Sequence, residues 1–398
     1  MPEPVPGAHA DIDADLFGYR SLLDDDERKL LDGLRAWLEE HVSPIVDDYW
    51  ARAEFPHELV PGLAELDIMG LALDLDDRPA RRRLLSGFVG MELARVDASF
   101  ASFYGVHSGL AMGSIHQCGS DEQRARWLPP MRRLELIGAF GLTEPHGGSD
   151  VAGGLETTAR REGDEWVIDG AKRWIGNGTF ADLVVVWARD VADDEVKGFV
   201  IEKELPGFTA TKMENKLALR ITQNADITLD GVRVPEANRL QYANSFGDTN
   251  AVLRNTRGSV AWSAVGVMTG AYEVAVEYAR SRQQFGRPIG GFQLVQDLLA
   301  RMLGNLTASL GMAVRGAQLQ DDGHFEDEQG ALAKSFCTTR LRECVAWGRE
   351  LMGGNGVLLD YGMARYFNDA EALYSYEGTR EINTLIVGRA ITGESAFT

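Results

Sequence analysis

Several short stretches of this chain set side chains capable of chemistry beside glycines. In SYEGTREI, residues 375–382, the carboxylate of Glu377 stands between Tyr376 and Gly378. Thr379 follows, then an apolar helical pattern through Ile382, Leu385 and Ile386. An acid at this place can serve a helix start, where it meets the positive end of the dipole. In FGLTEPHGGSDV, residues 140–151, a strand pattern runs into a glycine-rich loop. That loop is either an ordinary Pro/Gly turn or a cradle, in which backbone N–H groups and the hydroxyls of Thr143 and Ser149 receive an oxygen-rich ligand. KRWIGN, residues 172–177, ends a strand on Trp174, a residue type that usually packs in a core. RSRQQFGRPIGGFQ, residues 280–293, puts Arg282, Phe285 and Gln293 on a loop between two helices, and ELMGGNG, residues 350–356, closes a helix in glycines as a C-cap does.

Composition narrows the chemistry. The chain has 398 residues, 44% hydrophobic and 25% charged, in keeping with a soluble globular protein of two or three domains. A net charge of −20 argues against a nucleic-acid partner and against an anionic membrane surface. It leaves room for an anionic ligand, because a few local Arg side chains can focus the field in a pocket. Cys118, Cys337 and Cys344 are odd in number and lack CxxC spacing, which suggests buried thiols in a reducing compartment and no structural zinc. The chain contains no HExxH, GxSxG, Walker loop or post-strand GxGxxG, so a metal enzyme, a serine hydrolase and a Rossmann site have little support. The opening MPEPVPGAHADIDADLF is acidic and Pro-bearing, unlike a secretory or mitochondrial signal, and is expected to be frayed. The closing ESAFT is no peroxisomal address, and no apolar run is long enough to span a bilayer. A cytoplasmic location is expected.

The elements that must position these residues form three textures. From about Asp25 to Glu135 the period is helical: ERKLLDGLRAWLEEHV sets Leu30, Leu31, Leu34, Trp37, Leu38 and Val42 on one face, ahead of Pro44. From about Ile137 to Pro235 the runs are short and β-rich. Two Asp-Gly pairs, Asp169-Gly170 and Asp230-Gly231, predict hairpin turns, and DLVVVWAR and KGFVIEK predict further strands. From about Asp248 long helices return; QLVQDLLARMLGNL stacks Val295, Leu298, Leu299, Met302, Leu303 and Leu306 on one stripe. A β-block between helical blocks is not a doubly wound sheet.

Taken together, in this order and ending in YEGTREINTLIVGRAITG, the motifs resemble the acyl-CoA dehydrogenase family over nearly the whole chain, from about residue 20 onward. Within it the likeness is greatest to the branch of glutaryl-CoA dehydrogenase and the plant short-chain acyl-CoA oxidase. The resemblance implies an α+β multidomain fold: a helical N-terminal domain (20–136), a central β-barrel (137–245) and a C-terminal four-helix bundle domain (246–398). It implies FAD as cofactor, an acyl-CoA substrate, a homo-oligomer that is a dimer of dimers, and an electron-transfer flavoprotein as electron acceptor. By motif, Phe140, Leu142, Thr143, Gly148 and Ser149 would contact flavin and pyrophosphate, and Trp174, Ile175 and Gly176 would lie on the isoalloxazine. Arg282, Phe285, Gln293, Glu350, Leu351, Gly353 and Gly354 would reach the FAD of a neighbouring subunit. Thr379 and Glu381 would border the cofactor again, and Ser102, Ser149, Arg257, Tyr376 and Gly378 would meet the substrate.

The same resemblance gives Glu377 its role. It would take the α-proton of a saturated thioester while flavin N5 takes the β-hydride, giving the 2-enoyl product. A water-poor pocket walled by Tyr376 raises a carboxylate's pKa and makes it a better base, Gly378 permits close backbone approach to the thioester, and the Glu377 N–H with a ribityl hydroxyl would form the oxyanion hole. Two departures from the family pattern bear on activity. Relatives read Trp-Ile-Thr where this chain reads Trp174-Ile175-Gly176; the missing side chain is expected to leave space by the flavin, which keeps an oxidase using O2 as the alternative acceptor reading. Glutaryl-CoA dehydrogenases carry an Arg and a Glu where this chain has Ala101 and Ala94, so a neutral, non-dicarboxylic acyl chain is expected rather than glutaryl-CoA. Glutaryl-CoA dehydrogenase stays an alternative beside the oxidase, and a non-catalytic CoA- or flavin-binding scaffold comes last; retention of Glu377, Arg257 and Arg282 speaks against it.

Overall fold

The computed structural model describes residues 14–396, so most of the opening segment read as frayed, and the end of the ESAFT tail, lie outside the described residues. The chain begins with seven helices: α1 (Asp25–Trp37), α2 (Val46–Arg52), α3 (Val60–Glu65), α4 (Arg83–Val96), α5 (Ala98–Tyr104), α6 (Gly113–Cys118) and α7 (Asp121–Arg132). Helix α1 starts in a capping box in which Asp24 and Glu27 bond each other's backbone N–H. Its stripe buries Leu31 and Leu34 and continues through a wider turn at Leu38–Val42, where Leu38 and Val42 are also buried, before Pro44. A second wide turn, Gly105–Met112, joins α5 to α6. Such turns sit often at functional sites.

Seven strands follow: β1 (Gly138–Gly141), β2 (Thr158–Glu162), β3 (Glu165–Ile175), β4 (Leu183–Asp190), β5 (Val196–Glu202), β6 (Phe208–Lys212) and β7 (Ala225–Pro235). They hydrogen-bond in the order β1-β4-β2-β3-β7-β6, and β5 pairs with the other edge of β4. Strand β4, LVVVWARD, is buried along almost its whole length, as its unbroken apolar run requires of a strand covered on both faces.

The two Asp-Gly pairs are not hairpin turns. Both lie inside long strands and face each other: Ile168 pairs with Val232 and Gly170 with Leu229, so Asp169 stands opposite both Asp230 and Gly231. This is a β-bulge, and the Asp169 carboxylate accepts the Gly231 N–H at 2.7 Å. The β2–β3 hairpin turns one stop earlier, at Gly163-Asp164, where Gly163 has φ 66°. Bulge and turn draw on the same residue types, because both need a left-handed residue.

Beyond residue 245 come α8 (Phe246–Ser281), α9 (Gln293–Asp321), α10 (Asp327–Leu351), α11 (Met363–Ser375) and α12 (Arg380–Thr392). Helix α8 lies directly on α4. A Cβ on Gly266 would fall 2.2 Å from the Met91 carbonyl, and one on Gly270 would fall 2.2 Å from that of Arg95, so only glycine allows this approach. This contact joins the N- and C-terminal helical parts, and the β domain closes the cleft between them.

Candidate active site

The Glu377 loop connects α11 to α12. Thr379 caps α12 by accepting the Ile382 N–H at 3.3 Å, and Glu381 is the acid of the first turn. Glu377 stands before the cap, so the helix-start role belongs to its neighbours. Glu377 and Gly378 both have positive φ, 55° and 83°. For a non-glycine residue that conformation is strained and needs support from its surroundings.

The support is Lys334, wholly buried in the middle of α10. Its ammonium donates to the carbonyls of Tyr376 and Gly378 and, at 3.5 Å, to that of Tyr374. Asn383 adds bonds to the Gly378 and Thr379 carbonyls at 2.9 and 3.0 Å. The Glu377 carboxylate is thereby turned into the cleft, where its bonding partner is the Thr256 hydroxyl, donating to Oε2 at 3.2 Å. Burial raises the Glu377 pKa above the ordinary carboxylate range, against the opposing pull of Lys334, Thr256 and Arg257. Burial likewise lowers Lys334 to about 8, against the pull of Glu377. Beside them Tyr376 directs its hydroxyl toward Ser102 and Ser263, and Arg257 is held by Asp327 at 3.2 Å and Asn250 at 3.3 Å.

The opposite wall comes from the β domain. Lys172, wholly buried on β3, bonds Glu144 at 2.7 Å and the Leu142 carbonyl at 3.1 Å. Glu144 also accepts the N–H groups of Glu156 and Thr157 at 2.6 and 2.9 Å. Burial pushes the Glu144 pKa up, but Lys172 and these bonds outweigh it and hold the carboxyl below its usual range. This ion pair fixes the loop after β1. It leaves the hydroxyls of Thr143 and Ser149 on the cleft with no hydrogen-bond partner among the described residues. Trp174, at φ 64°, is 54% exposed on the same wall rather than packed in the core. Gly176 lines the cleft, and a Cβ there would come within 3.1 Å of a Val106 methyl, so the space beside it is narrowed on that side.

Between these walls lies a cavity of about 1570 Å³, beyond the roughly 300–1,000 Å³ of a site for one small molecule. It brings together Ser102, Phe140, Leu142, Thr143, Gly148, Ser149, Trp174, Ile175, Gly176, Arg257, Tyr376, Glu377, Gly378 and Thr379. Glu381 points away and pairs with Arg380 at 2.7 Å. Arg282, Phe285, Gln293, Glu350, Leu351, Gly353 and Gly354 do not line this cavity. They gather instead around the C-terminal end of α8, where Tyr278 donates to the Met352 carbonyl at 3.4 Å and Phe285 is 94% exposed. Lys334, Thr256, Lys172 and Glu144 escaped the sequence reading. The one signal for Lys334 is a cation inside the apolar stripe ALAKSF.

The three parts of the chain match, in order, the acyl-CoA dehydrogenase N-terminal domain over residues 24–135, the middle domain over 139–232 and the C-terminal domain over 246–392. The chain belongs to the acyl-CoA dehydrogenase family. It is an oxidoreductase of a family that uses FAD. An acyl-CoA dehydrogenase of Bacillus subtilis strain 168 is 31% identical over 365 residues, covering 90% of this chain and 96% of that protein. A crystal structure of glutaryl-CoA dehydrogenase from Mycobacterium smegmatis superposes with a TM-score of 0.93 at 38% identity, covering 97% of this chain and 99% of that one. Butyryl-CoA dehydrogenase from Megasphaera elsdenii superposes with a TM-score of 0.88 at 29% identity, covering 93% and 98%. The cleft fits the cofactor. Its free hydroxyls at Thr143 and Ser149 suit phosphate and hydroxyl oxygens, and the exposed Trp174 suits a flat ring.

Proposed function

We propose that this chain catalyses the α,β-dehydrogenation of an acyl-CoA thioester, with Glu377 as the base that takes the α-proton. The observation that carries the reading is the Tyr376–Gly378 loop, which turns a desolvated carboxylate into the cleft with a single hydroxyl as partner. Bound FAD would supply the hydride acceptor, held by Phe140, Leu142, Thr143, Gly148, Ser149, Trp174, Ile175, Gly176 and Thr379. Desolvation makes Glu377 a stronger base, and Lys334 opposes part of that upward shift. Ser102, Tyr376 and Gly378 would border the acyl group, and Arg257, fixed by Asp327 and Asn250, would meet the CoA portion. The exposed Arg282–Gln293 and Glu350–Gly354 surfaces would complete the cofactor site of a second copy, making the active form a homo-oligomer. The exposed Leu294, 82% accessible on the adjoining turn of α9, supports such a contact. An electron-transfer flavoprotein would be the electron acceptor, with O2 as the alternative.

Within the Ala101 segment, residues 92–109, the one Arg is Arg95, already bonded to Glu92, Glu273 and Glu39, so a carboxylate close to the thioester would be desolvated without a partner from this segment, at a cost of several kcal/mol. The acyl chain is therefore neutral over its first carbons. The test is anaerobic bleaching of the yellow holoenzyme by butyryl-, isobutyryl- and glutaryl-CoA. Butyryl- or isobutyryl-CoA should reduce the flavin faster than glutaryl-CoA. Faster reduction by glutaryl-CoA would overturn the Ala101 argument, and no bleaching by any thioester would overturn the assignment. Turnover on O2 alone at the rate seen with a dye would replace dehydrogenase by oxidase.

A further inference from the structure

The cavity does not end at Tyr376. It continues between α4, α6 and the wide turn 105–112, and three glycines open this branch. A Cβ on Gly90 or Gly105 would meet nothing within 4 Å, and one on Gly109 would meet only the Thr256 methyl, at 3.4 Å. Glycine within a helix is destabilising, and none of the three has a positive φ or a backbone pressed against it to require one. What they share is open volume. Gly109 faces the same Thr256 that bonds Glu377, so the branch leads directly from the reacting end of the cleft.

Arg83, in the first turn of α4, lines this branch. Its backbone N–H bonds Asp321 at 2.6 Å, but its guanidinium makes no ion pair and no hydrogen bond with any described residue. Burial is the largest influence on it and disfavours its charge, with Asp321 and Tyr104 acting the other way. The neighbouring polar groups are already engaged: Ser86 and Tyr104 share a hydrogen bond of 3.0 Å, and His116 bonds the Asp74 carbonyl at 2.9 Å. Arg389 also lines the cavity without a side-chain partner among the described residues, but it is exposed, and two further cations are held. Arg257 has Asp327 and Asn250, and Lys216 has the oxygens of Leu219, Thr222 and Asn224. A half-buried guanidinium carries five donors in a fork that matches a carboxylate. Left without an acceptor, it is an incomplete site.

We propose that Arg83 receives a carboxylate at the far end of a long acyl chain, so that the enzyme selects ω-carboxyacyl thioesters longer than glutaryl-CoA. This rests on reading the cleft as the acyl-CoA site. It narrows the expectation of a neutral tail, which rests on residues 92–109: the chain is neutral beside Ala101 and anionic at its end.

The test uses FAD-loaded enzyme and thioester pairs of equal length: butyryl- and succinyl-, hexanoyl- and adipyl-, octanoyl- and suberyl-, decanoyl- and sebacyl-CoA. Within each pair the ratio of kcat/KM, carboxylate over methyl, is read from flavin reduction. The ratio should be below one for the short pairs and should rise to at least about tenfold in a longer pair, as a charge-assisted hydrogen bond implies. Arg83→Met should collapse that ratio and Arg83→Lys should keep part of it. Each ratio is taken within one variant, so a general loss of folding cancels. Gly109→Leu, which fills the branch, should lower the rates of long thioesters relative to short ones. A wild-type ratio below one at every length overturns the proposal, as does a high ratio that Arg83→Met leaves untouched. An equal loss on all thioesters in Arg83→Met would place the guanidinium on the CoA portion and also overturn it. If the methyl-ended thioesters bleach the flavin while these ratios fail, only this inference falls; if no thioester bleaches it, the acyl-CoA reading falls too.

Discussion

Replacing Lys334 by Met keeps the apolar stem in α10 and removes the ammonium under the Glu377 loop. The Tyr376 carbonyl then loses its donor and that of Tyr374 loses a weaker one, while Gly378 keeps Asn383 at 2.9 Å. Orphaned buried carbonyls cost about 1–3 kcal/mol each. Relief from burying a cation, visible in the lowering of Lys334 to about 8, offsets part of this. A net loss of about 1–3 kcal/mol in stability is expected. The larger effect is on the base. Without its clamp the strained Glu377 backbone can relax, and a displacement of about 1 Å at a reacting group costs on the order of 10²-fold in rate. The pH profile adds a sign. Burial already raises the Glu377 pKa, and Lys334 is the strongest influence holding it down. Losing that cation raises it further, so the acid limb of kcat/KM for flavin reduction moves to higher pH. The assay is stopped-flow bleaching of FAD-loaded enzyme by butyryl-CoA across pH, beside thermal unfolding. Lys334→Arg restores a cation and should move the limb back. A variant with a lowered Tm but unchanged kcat and acid limb would show that Lys334 only stabilises the fold.

Two further outcomes follow from the geometry. Asp369 is buried, accepts the Leu219 N–H at 2.7 Å and the Trp50 indole at 3.1 Å through one oxygen, and has its pKa pushed up to about 7 by burial beside Asp97. A folded-state pKa above the unfolded value means that stability is lost as pH rises through about 7. Asp369→Asn keeps an acceptor oxygen for both donors, so it should raise Tm at pH 8 by about 2 °C or more and leave it nearly unchanged at pH 4; an equal shift at both pH values would contradict the titration. Phe285→Asp, on the surface expected to serve a second copy, should lower FAD content and shift the enzyme toward monomer with its circular dichroism unchanged. Full FAD occupancy in a monomeric Phe285→Asp would remove the shared-site proposal.

The sequence made the Glu377 loop legible because its signal is local: a carboxylate, a glycine and a capping Thr within three residues. The same holds for Thr143, Ser149 and Trp174, whose loops lie next to their strands. Lys334 and Thr256 reach Glu377 across 43 and 121 residues, and no local pattern announces a contact of that range. Arg83 was passed over because it stands in an Arg-rich turn, RPARRRLL, that reads as a solvated start to a helix. Nothing in that stretch shows that the third arginine of the run faces a cavity. The Asp-Gly pairs were misread for a different reason: the dipeptide reports a need for left-handed backbone, and strand pairing decides whether that need is a turn or a bulge. At Gly176 the type was legible but the neighbour was not, since Val106 comes from another domain.

The central claim is that Glu377 is the base, and Glu377→Gln tests it most directly. Gln keeps the size and can accept from Thr256, but it cannot take a proton. Single-turnover reduction of bound FAD by an acyl-CoA should slow by at least about 10²-fold, the low end for losing a general base, while FAD content and acyl-CoA binding persist. Flavin reduction at a near-normal rate in that variant would place the base elsewhere and contradict the account.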